Sequence, residues 1–269
     1  MQQLILEKLE GLKRILKKME NVAIAFSGGV DSTFLVKVAN DVLGDKVLAI
    51  TATSSIHPEF EKKDAKIFAE QNSIRHVIFK SEELKNENFR ANPPNRCYIC
   101  KKELFSAIKS IANKEDIKYI LDATNFDDLS EYRPGIKALE ELEIISPLKD
   151  VKLTKEEIRA LSKEMNLKSW NKPAFACLVS RIPYGIEITE KRLKMIERAE
   201  EYIMNLGISQ IRVRYHDKIA RIEINKNDIP LLLKHSDEIN AELKKLGFTY
   251  ITLDLEGYRT GSLNEVLDI

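Results

Sequence analysis

The chain predicts an α/β fold: a mostly parallel sheet covered by helices, followed by a smaller α+β domain. Three observations lead there. Short apolar runs alternate with amphipathic stretches over residues 22–166, the pattern of strands buried between helices. The apolar run Val22-Ala23-Ile24-Ala25-Phe26 leads straight into the glycine-rich turn Ser27-Gly28-Gly29-Val30-Asp31-Ser32-Thr33. Beyond residue 189 the pattern changes, and two adjacent strands joined by His216-Asp217-Lys218 read as an antiparallel hairpin.

Taken in order, Ile5, Leu9, Leu12, Leu16 and Met19 recur at spacings of three and four, so residues 3–19 form an amphipathic helix. Strands are expected near 22–26, 46–51, 75–79, 118–123 and 143–146. Helices are expected near 31–43, 58–72, 99–113, 132–142 and 154–166. A segment rich in proline, aromatic and small residues, Lys168–Gly185, breaks this alternation and reads as a functional loop at a domain junction. A helix at 189–206, strands near 209–215 and 219–224, a helix near 228–246 and a strand at 248–254 follow. The expected domains are 1–167, a junction loop at 168–188, and 189–269.

A chain of 269 residues with 43% apolar and 32% charged residues supports a real core and a soluble surface. Its net charge of +1 gives no bulk electrostatic reason for nucleic acid or membrane as partner. No run approaches the roughly 20 apolar residues of a membrane span. The charged, amphipathic N-terminus lacks the apolar core of a signal peptide, so a cytoplasmic location is expected. Three cysteines, an odd number, do not suggest a disulfide framework.

A strand entering a glycine-rich turn that opens a helix presents backbone N–H groups and a positive dipole end to an anion. Gly28 and Gly29 let backbone approach a phosphate, and Ser27, Ser32 and Thr33 add hydroxyls. The turn lacks the lysine of the Walker A loop and the third glycine of the dinucleotide fingerprint. Cys97-Tyr98-Ile99-Cys100 is a C-x-x-C pair in a loop opened by Asn92-Pro93-Pro94-Asn95 and entering a helix, and Cys177 stands alone further on. These cysteines admit a redox pair, a zinc site, three ligands of a [4Fe–4S] cluster with one open iron, or a lone nucleophile at Cys177. In Ile211-Arg212-Val213-Arg214-Tyr215, the arginines share one strand face, and Arg221 and Glu223 share the polar face of the next strand. That face reads either as solvated ion pairs or, with Arg259, as a phosphate-monoester clamp.

The turn at Ser27–Thr33 resembles the pyrophosphate loop (PP-loop) of N-type ATP pyrophosphatases. Together with Asn95-Arg96-Cys97-Tyr98-Ile99-Cys100-Lys101, Asp122-Ala123-Thr124-Asn125, Tyr132-Arg133-Pro134-Gly135, Lys172-Pro173-Ala174, Arg181-Ile182-Pro183-Tyr184-Gly185 and Leu253-Asp254-Leu255-Glu256-Gly257-Tyr258-Arg259, it resembles the LarE family along almost the whole chain. The resemblance implies a Rossmann-like PP-loop domain and an ATP-dependent sulfurtransferase. The implied substrate is pyridinium-3,5-biscarboxylic acid mononucleotide, whose carboxylates are adenylated and converted to thiocarboxylates for the nickel-pincer nucleotide. It also implies two modes of sulfur supply. One sacrifices the sulfur of the cysteine matching Cys177. The other holds an exchangeable sulfide on a [4Fe–4S] cluster bound by residues matching Cys97, Cys100 and Cys177, and the presence of all three favours it.

The implied roles follow. Ser27, Gly28, Gly29, Asp31, Ser32 and Thr33 hold the phosphates of ATP, with Asp31 a partner of Mg²⁺. Thr53 and Ser54 lie near adenine, and Asn125, Asp128 and Arg133 line the pocket. Arg181 stabilises charge at the adenylate, while Arg212, Arg214, Glu223 and Arg259 bind the substrate phosphate. Inorganic sulfide or a sulfide donor is the implied second reactant, and a homohexamer the implied assembly. Three rivals are a PP-loop tRNA thiolase, which would want a larger basic surface, an ammonia-using ligase, which needs no cysteines, and an ATP-binding module whose cysteines hold zinc.

Overall fold

The computed structural model describes residues 2–130, 134–173 and 176–267. In chain order its helices and strands are α1 (Gln2–Met19), β1 (Val22–Ala25), α2 (Val30–Leu43), β2 (Val47–Thr53), α3 (Glu59–Gln71), β3 (Arg75–Lys80), α4 (Glu87–Arg90), α5 (Arg96–Lys114), β4 (Tyr119–Leu121), α6 (Gly135–Glu141), α7 (Pro147–Asp150) and α8 (Lys155–Glu164). They continue as α9 (Glu190–Asn205), β5 (Ile211–His216), β6 (Ile219–Ile224), α10 (Ile229–Lys234), α11 (Ser236–Leu246) and β7 (Tyr250–Leu253), with short 3₁₀ turns between. The chain divides into two compact units. One comprises Met1–Ser54, Glu59–Glu83 and Asn95–Ala174; the other comprises Ser55–Pro58, Leu84–Pro94 and Phe175–Ile269.

The first unit holds a four-stranded, all-parallel sheet in the order β3-β2-β1-β4. Strands β1, β2 and β4 are mostly buried while the edge strand β3 is partly exposed, and the period of two divides their side chains between the two faces. Val22, Ile24, Val47 and Ala49 pack with Leu12 and Leu16 of α1, Phe34 and Leu35 of α2, and Ile158 and Leu161 of α8. Ala23, Leu48, Ile50 and Ile120 pack with Phe105 and Ile108 of α5 on the other side. A fifth strand at 143–146 does not form. Only Ile145 bridges, parallel, to Leu121, because Pro147 follows and starts α7 with no N–H to offer a ladder.

In the second unit, β5 and β6 pair antiparallel and β7 joins β6 in parallel. Ile211, Val213, Ala220, Ile222 and Ile224 are buried, with the α9 stripe Leu193, Ile196, Ala199 and Ile203 also buried. The helix expected over 228–246 is two helices, α10 and α11, interrupted where His235 departs from helical dihedrals (φ −103°, ψ 17°). Asn92, fully buried in the left-handed region (φ 57°), ties the loop 182–186 to the segment before it. Its Nδ2 donates to the carbonyls of Pro183 at 2.7 Å and Ile186 at 3.0 Å.

Candidate active site

The loop between β1 and α2 lies at the carboxyl end of the parallel sheet, where ligands of such sheets bind. Gly28 takes φ +75°, and a Cβ there would stand 3.0 Å from the carbonyl oxygen of Glu61 and 3.2 Å from the Ala65 side chain on α3. Only glycine lets the loop pass this close to α3. Gly29 is the extended N-cap of α2. Ser27 Oγ and Ser32 Oγ lie 3.0 Å apart, and the Gly29 amide donates to Ser27 Oγ at 3.3 Å. Thr33 is buried, with its amide on the Gly29 carbonyl at 3.0 Å as the first helical bond. The loop therefore folds around its own hydroxyls at the positive end of a 14-residue helix.

Asp31, in the first turn of α2, pairs through Oδ2 with the ammonium of Lys155. Its Oδ1 is buried with no hydrogen-bond partner. An uncompensated carboxylate oxygen beside a phosphate-sized loop suits a hard divalent cation such as Mg²⁺. Lys155 is placed by a chain of local contacts. Thr154 and Glu157 form a capping box at the start of α8, and Glu157 pairs with Lys8 of α1 at 2.7 Å. The Lys155 amide donates to Asp127 at 2.8 Å.

Asn125 and Asp128 shape that same loop. Asn125 Oδ1 accepts from the amides of Asp127 (2.9 Å) and Asp128 (3.3 Å), and Asp128 Oδ2 accepts from the Asn125 amide at 3.0 Å. Both thus build the turn that delivers Lys155. Arg133 lies outside the described residues. Thr53 ends β2 with its hydroxyl on the Phe79 carbonyl at 3.2 Å, and Ser54 follows it at the same sheet edge.

The helix that the C-x-x-C pair enters begins earlier than its expected start near 99: α5 starts at Arg96, so Cys97 as well as Cys100 lies in its first turns, three residues apart on one face. Lys101 next to them reaches Asp122, 3.8 Å away at the end of β4, by passing over Gly135. Asp122 is buried and accepts from Thr124 and Ser146. None of the three cysteines is in a disulfide. Among the described residues, no three His, Cys, Asp or Glu side chains are gathered as a metal-holding group. Cys97 and Cys100 belong to the first unit and Cys177 to the second.

In the second unit, Arg181 is wholly buried and makes a bidentate pair with Glu200 of α9, at 2.9 and 2.8 Å. Its remaining nitrogen donates to the carbonyls of Ala176 and Cys177 and to Ser180 Oγ. Arg181 therefore fixes the backbone that carries Cys177. Glu200 also accepts from the Val213 amide at 2.8 Å. Burial disfavours the Arg181 charge, but Glu200 outweighs it and the guanidinium is held above its ordinary range.

The polar face of the C-terminal sheet is buried rather than solvated: Arg212, Arg214 and Glu223 are all nearly inaccessible. Glu223 accepts from Arg214 (2.7 Å), Arg221 (3.0 Å) and Ser262 Oγ (2.8 Å). Arg214 also donates to Ser262 Oγ and to the Ser180 carbonyl, both at 2.8 Å. Arg212 lies 5.2 Å over the Tyr258 ring. Burial and the nearby Arg181 cation push its pKa down to about 10, against the opposing pull of Glu200. Gly257 (φ +78°) lets the following loop approach the Ile224 carbonyl, where a Cβ would come to 2.8 Å, and so sets Tyr258. Arg259 is more exposed, paired with Glu256 at 2.9 Å and Glu265 at 3.1 Å.

Sequence reasoning missed Lys155, Asp64 and Glu200, and it singled out Lys172 within a motif without giving it a role. Two of these carried a signal. The T-x-x-E capping box places Lys155 at a helix start, and Glu200 interrupts the apolar stripe of α9.

Comparison with known proteins adds family-level findings. Residues 2–172 match the model of the PP-loop domain. An uncharacterized protein of Synechocystis sp. is 44% identical over 97% of this chain and 98% of its own length. The pyridinium-3,5-bisthiocarboxylic acid mononucleotide synthase of Lactiplantibacillus plantarum is 38% identical over 94% of this chain and 92% of its own. An uncharacterized protein of Methanocaldococcus jannaschii is 34% identical over 95% and 98%.

Proposed function

The chain belongs to the LarE family of PP-loop enzymes, ATP-dependent sulfurtransferases, and we propose that it converts the carboxylates of pyridinium-3,5-biscarboxylic acid mononucleotide into thiocarboxylates. The observation that carries this reading is the Ser27–Thr33 loop with the bare Asp31 Oδ1 at its mouth, in a chain 38% identical to a synthase of the bisthiocarboxylic product.

A carboxylate resists sulfide because oxide is a poor leaving group. The substrate oxygen therefore attacks the α-phosphorus of ATP, pyrophosphate departs, and AMP becomes the group that sulfide displaces. In this reading Ser27, Gly28, Gly29, Ser32 and Thr33 hold the phosphates and Asp31 holds Mg²⁺. Thr53 and Ser54 flank adenine, and Asn125, Asp128 and Arg133 are assigned to line the pocket. Arg212, Arg214, Glu223 and Arg259 receive the substrate phosphate. Arg181 acts as a positioning residue, because its donors are spent on Glu200 and on the Cys177 turn.

The donor chemistry fits a [4Fe–4S] group: three cysteines outside any disulfide, two of them on one helix face. Cys97, Cys100 and Cys177 are its proposed ligands. When bound, it supplies an iron-held sulfide as nucleophile. A cytoplasmic homohexamer that draws on inorganic sulfide or a sulfide donor completes the reading.

The test uses anaerobically purified protein given ATP, the mononucleotide and excess sulfide. Expected are AMP and pyrophosphate, several turnovers per chain, an unaltered chain mass, and loss of activity in each of C97A, C100A and C177A. One turnover with loss of H₂S from Cys177, together with full activity of C97A, would replace the cluster by a sacrificial cysteine. Release of ADP would sink the adenylation itself.

A further inference from the structure

Among its own side chains the phosphate-holding loop carries one charge, the anionic Asp31, yet adenylation expels a polyanion. The bond between the α-phosphorus and its bridging oxygen breaks, its electron pair leaves with pyrophosphate, and the substrate carboxylate oxygen takes the vacated position. Walker A loops meet this demand with a lysine inside the motif. Lys155 is engaged with Asp31.

A second lysine approaches from far along the chain. Lys172 Nζ donates to the Gly28 carbonyl at 3.2 Å and to the carboxylate of Asp64. Asp64 lies on α3, the helix whose backbone Gly28 touches at Glu61 and Ala65. The backbone at Lys172 is anchored independently: Arg159 of α8 donates to the carbonyls of Trp170, at 2.6 Å, and of Lys172. The stem is thus fixed and the ammonium is aimed at the loop by one carboxylate and one carbonyl. An ammonium has three N–H donors, and these partners use two.

We propose that Lys172 is the cation that holds the β- and γ-phosphates and the departing pyrophosphate, with Asp64 as the residue that positions it. The proposal rests on ATP adenylation at this loop. It assigns to Lys172 the duty of the missing loop lysine, delivered from the other end of the unit's chain.

Binding of ATP, inorganic pyrophosphate and AMP to the full-length chain, measured by calorimetry with Mg²⁺ present, tests it. Lys172→Met should weaken ATP and pyrophosphate by roughly 10- to 100-fold, the range for a lost charged hydrogen bond, and leave AMP within about twofold. Lys172→Arg should recover most of the loss, and Asp64→Asn should show a smaller loss of the same selectivity. Equal weakening of AMP and pyrophosphate would reduce Lys172 to a strut of the loop and overturn the proposal. So would unchanged pyrophosphate affinity. Because the readout is a ratio between ligands, it survives a modest loss of stability in K172M. Product analysis of the wild type separates the two failures. ADP would sink the adenylation reading, whereas AMP with unselective K172M binding would sink this proposal alone.

Discussion

Glu200→Gln probes the buried Arg181–Glu200 ion pair of the second unit. The substitution keeps shape and one acceptor but removes the charge that balances Arg181, a guanidinium with no exposed surface. Both hydrogen bonds of the pair, at 2.9 and 2.8 Å, lose their ionic partner, and the bond from the Val213 amide to the same carboxylate is weakened. Removing one member of a buried pair costs about 3–5 kcal/mol, most of it the stranded charge. For a chain of this size, 1 kcal/mol moves the melting temperature by roughly 2–4 °C, so a drop of about 6–20 °C is expected by scanning calorimetry. Arg181→Met should cost a similar amount, and the Arg181→Met/Glu200→Gln double variant less than the sum, since no charge is then stranded. Alkylation of Cys177 should accelerate in Arg181→Met, which removes the donor that clasps its carbonyl. A melting temperature within about 2 °C of wild type in Glu200→Gln would refute the reasoning.

Two further outcomes are expected. Gly28→Ala forces a Cβ into a left-handed position 3.0 Å from the Glu61 carbonyl; strain of about 1–2 kcal/mol from the dihedral alone should lower the melting temperature and weaken ATP binding together, and unchanged ATP affinity would count against the loop as the phosphate site. His76 is held below its ordinary 6.5 by burial, with its Nε2 on Thr51 Oγ1 at 2.7 Å. The unfolded chain therefore binds the extra proton first, so stability falls as pH drops through 6.5 and is fully present above it. His76→Gln should flatten that acid limb in a melting-temperature series from pH 8 to 5, and an unaltered limb would assign the acid sensitivity to another group.

Much of the first unit was legible in the sequence because its signals are local. Apolar strands alternating with amphipathic helices place β1, β2, β3 and β4, and two glycines between a strand and a helix mark the phosphate loop with Asp31, Ser32 and Thr33. Local signals failed where a neighbour decides. Residues 143–146 have a strand's composition, but Pro147 and the sheet leave them a single bridge at Ile145. Cys97 follows two prolines and reads as loop before a helix expected near 99, yet α5 begins at Arg96 and carries Cys97 and Cys100 on one face. Tertiary structure alone decided the electrostatics. Alternation showed that Arg212 and Arg214 share a face, but a face is solvated or buried only through what covers it, and both prove buried around Glu223. Lys172 reaches Gly28, and Lys155 reaches Asp31, across 144 and 124 positions of chain. No pattern within a sequence window encodes such a separation, because it is closed by the packing of α3 and α8 about the sheet rather than by the lysines themselves.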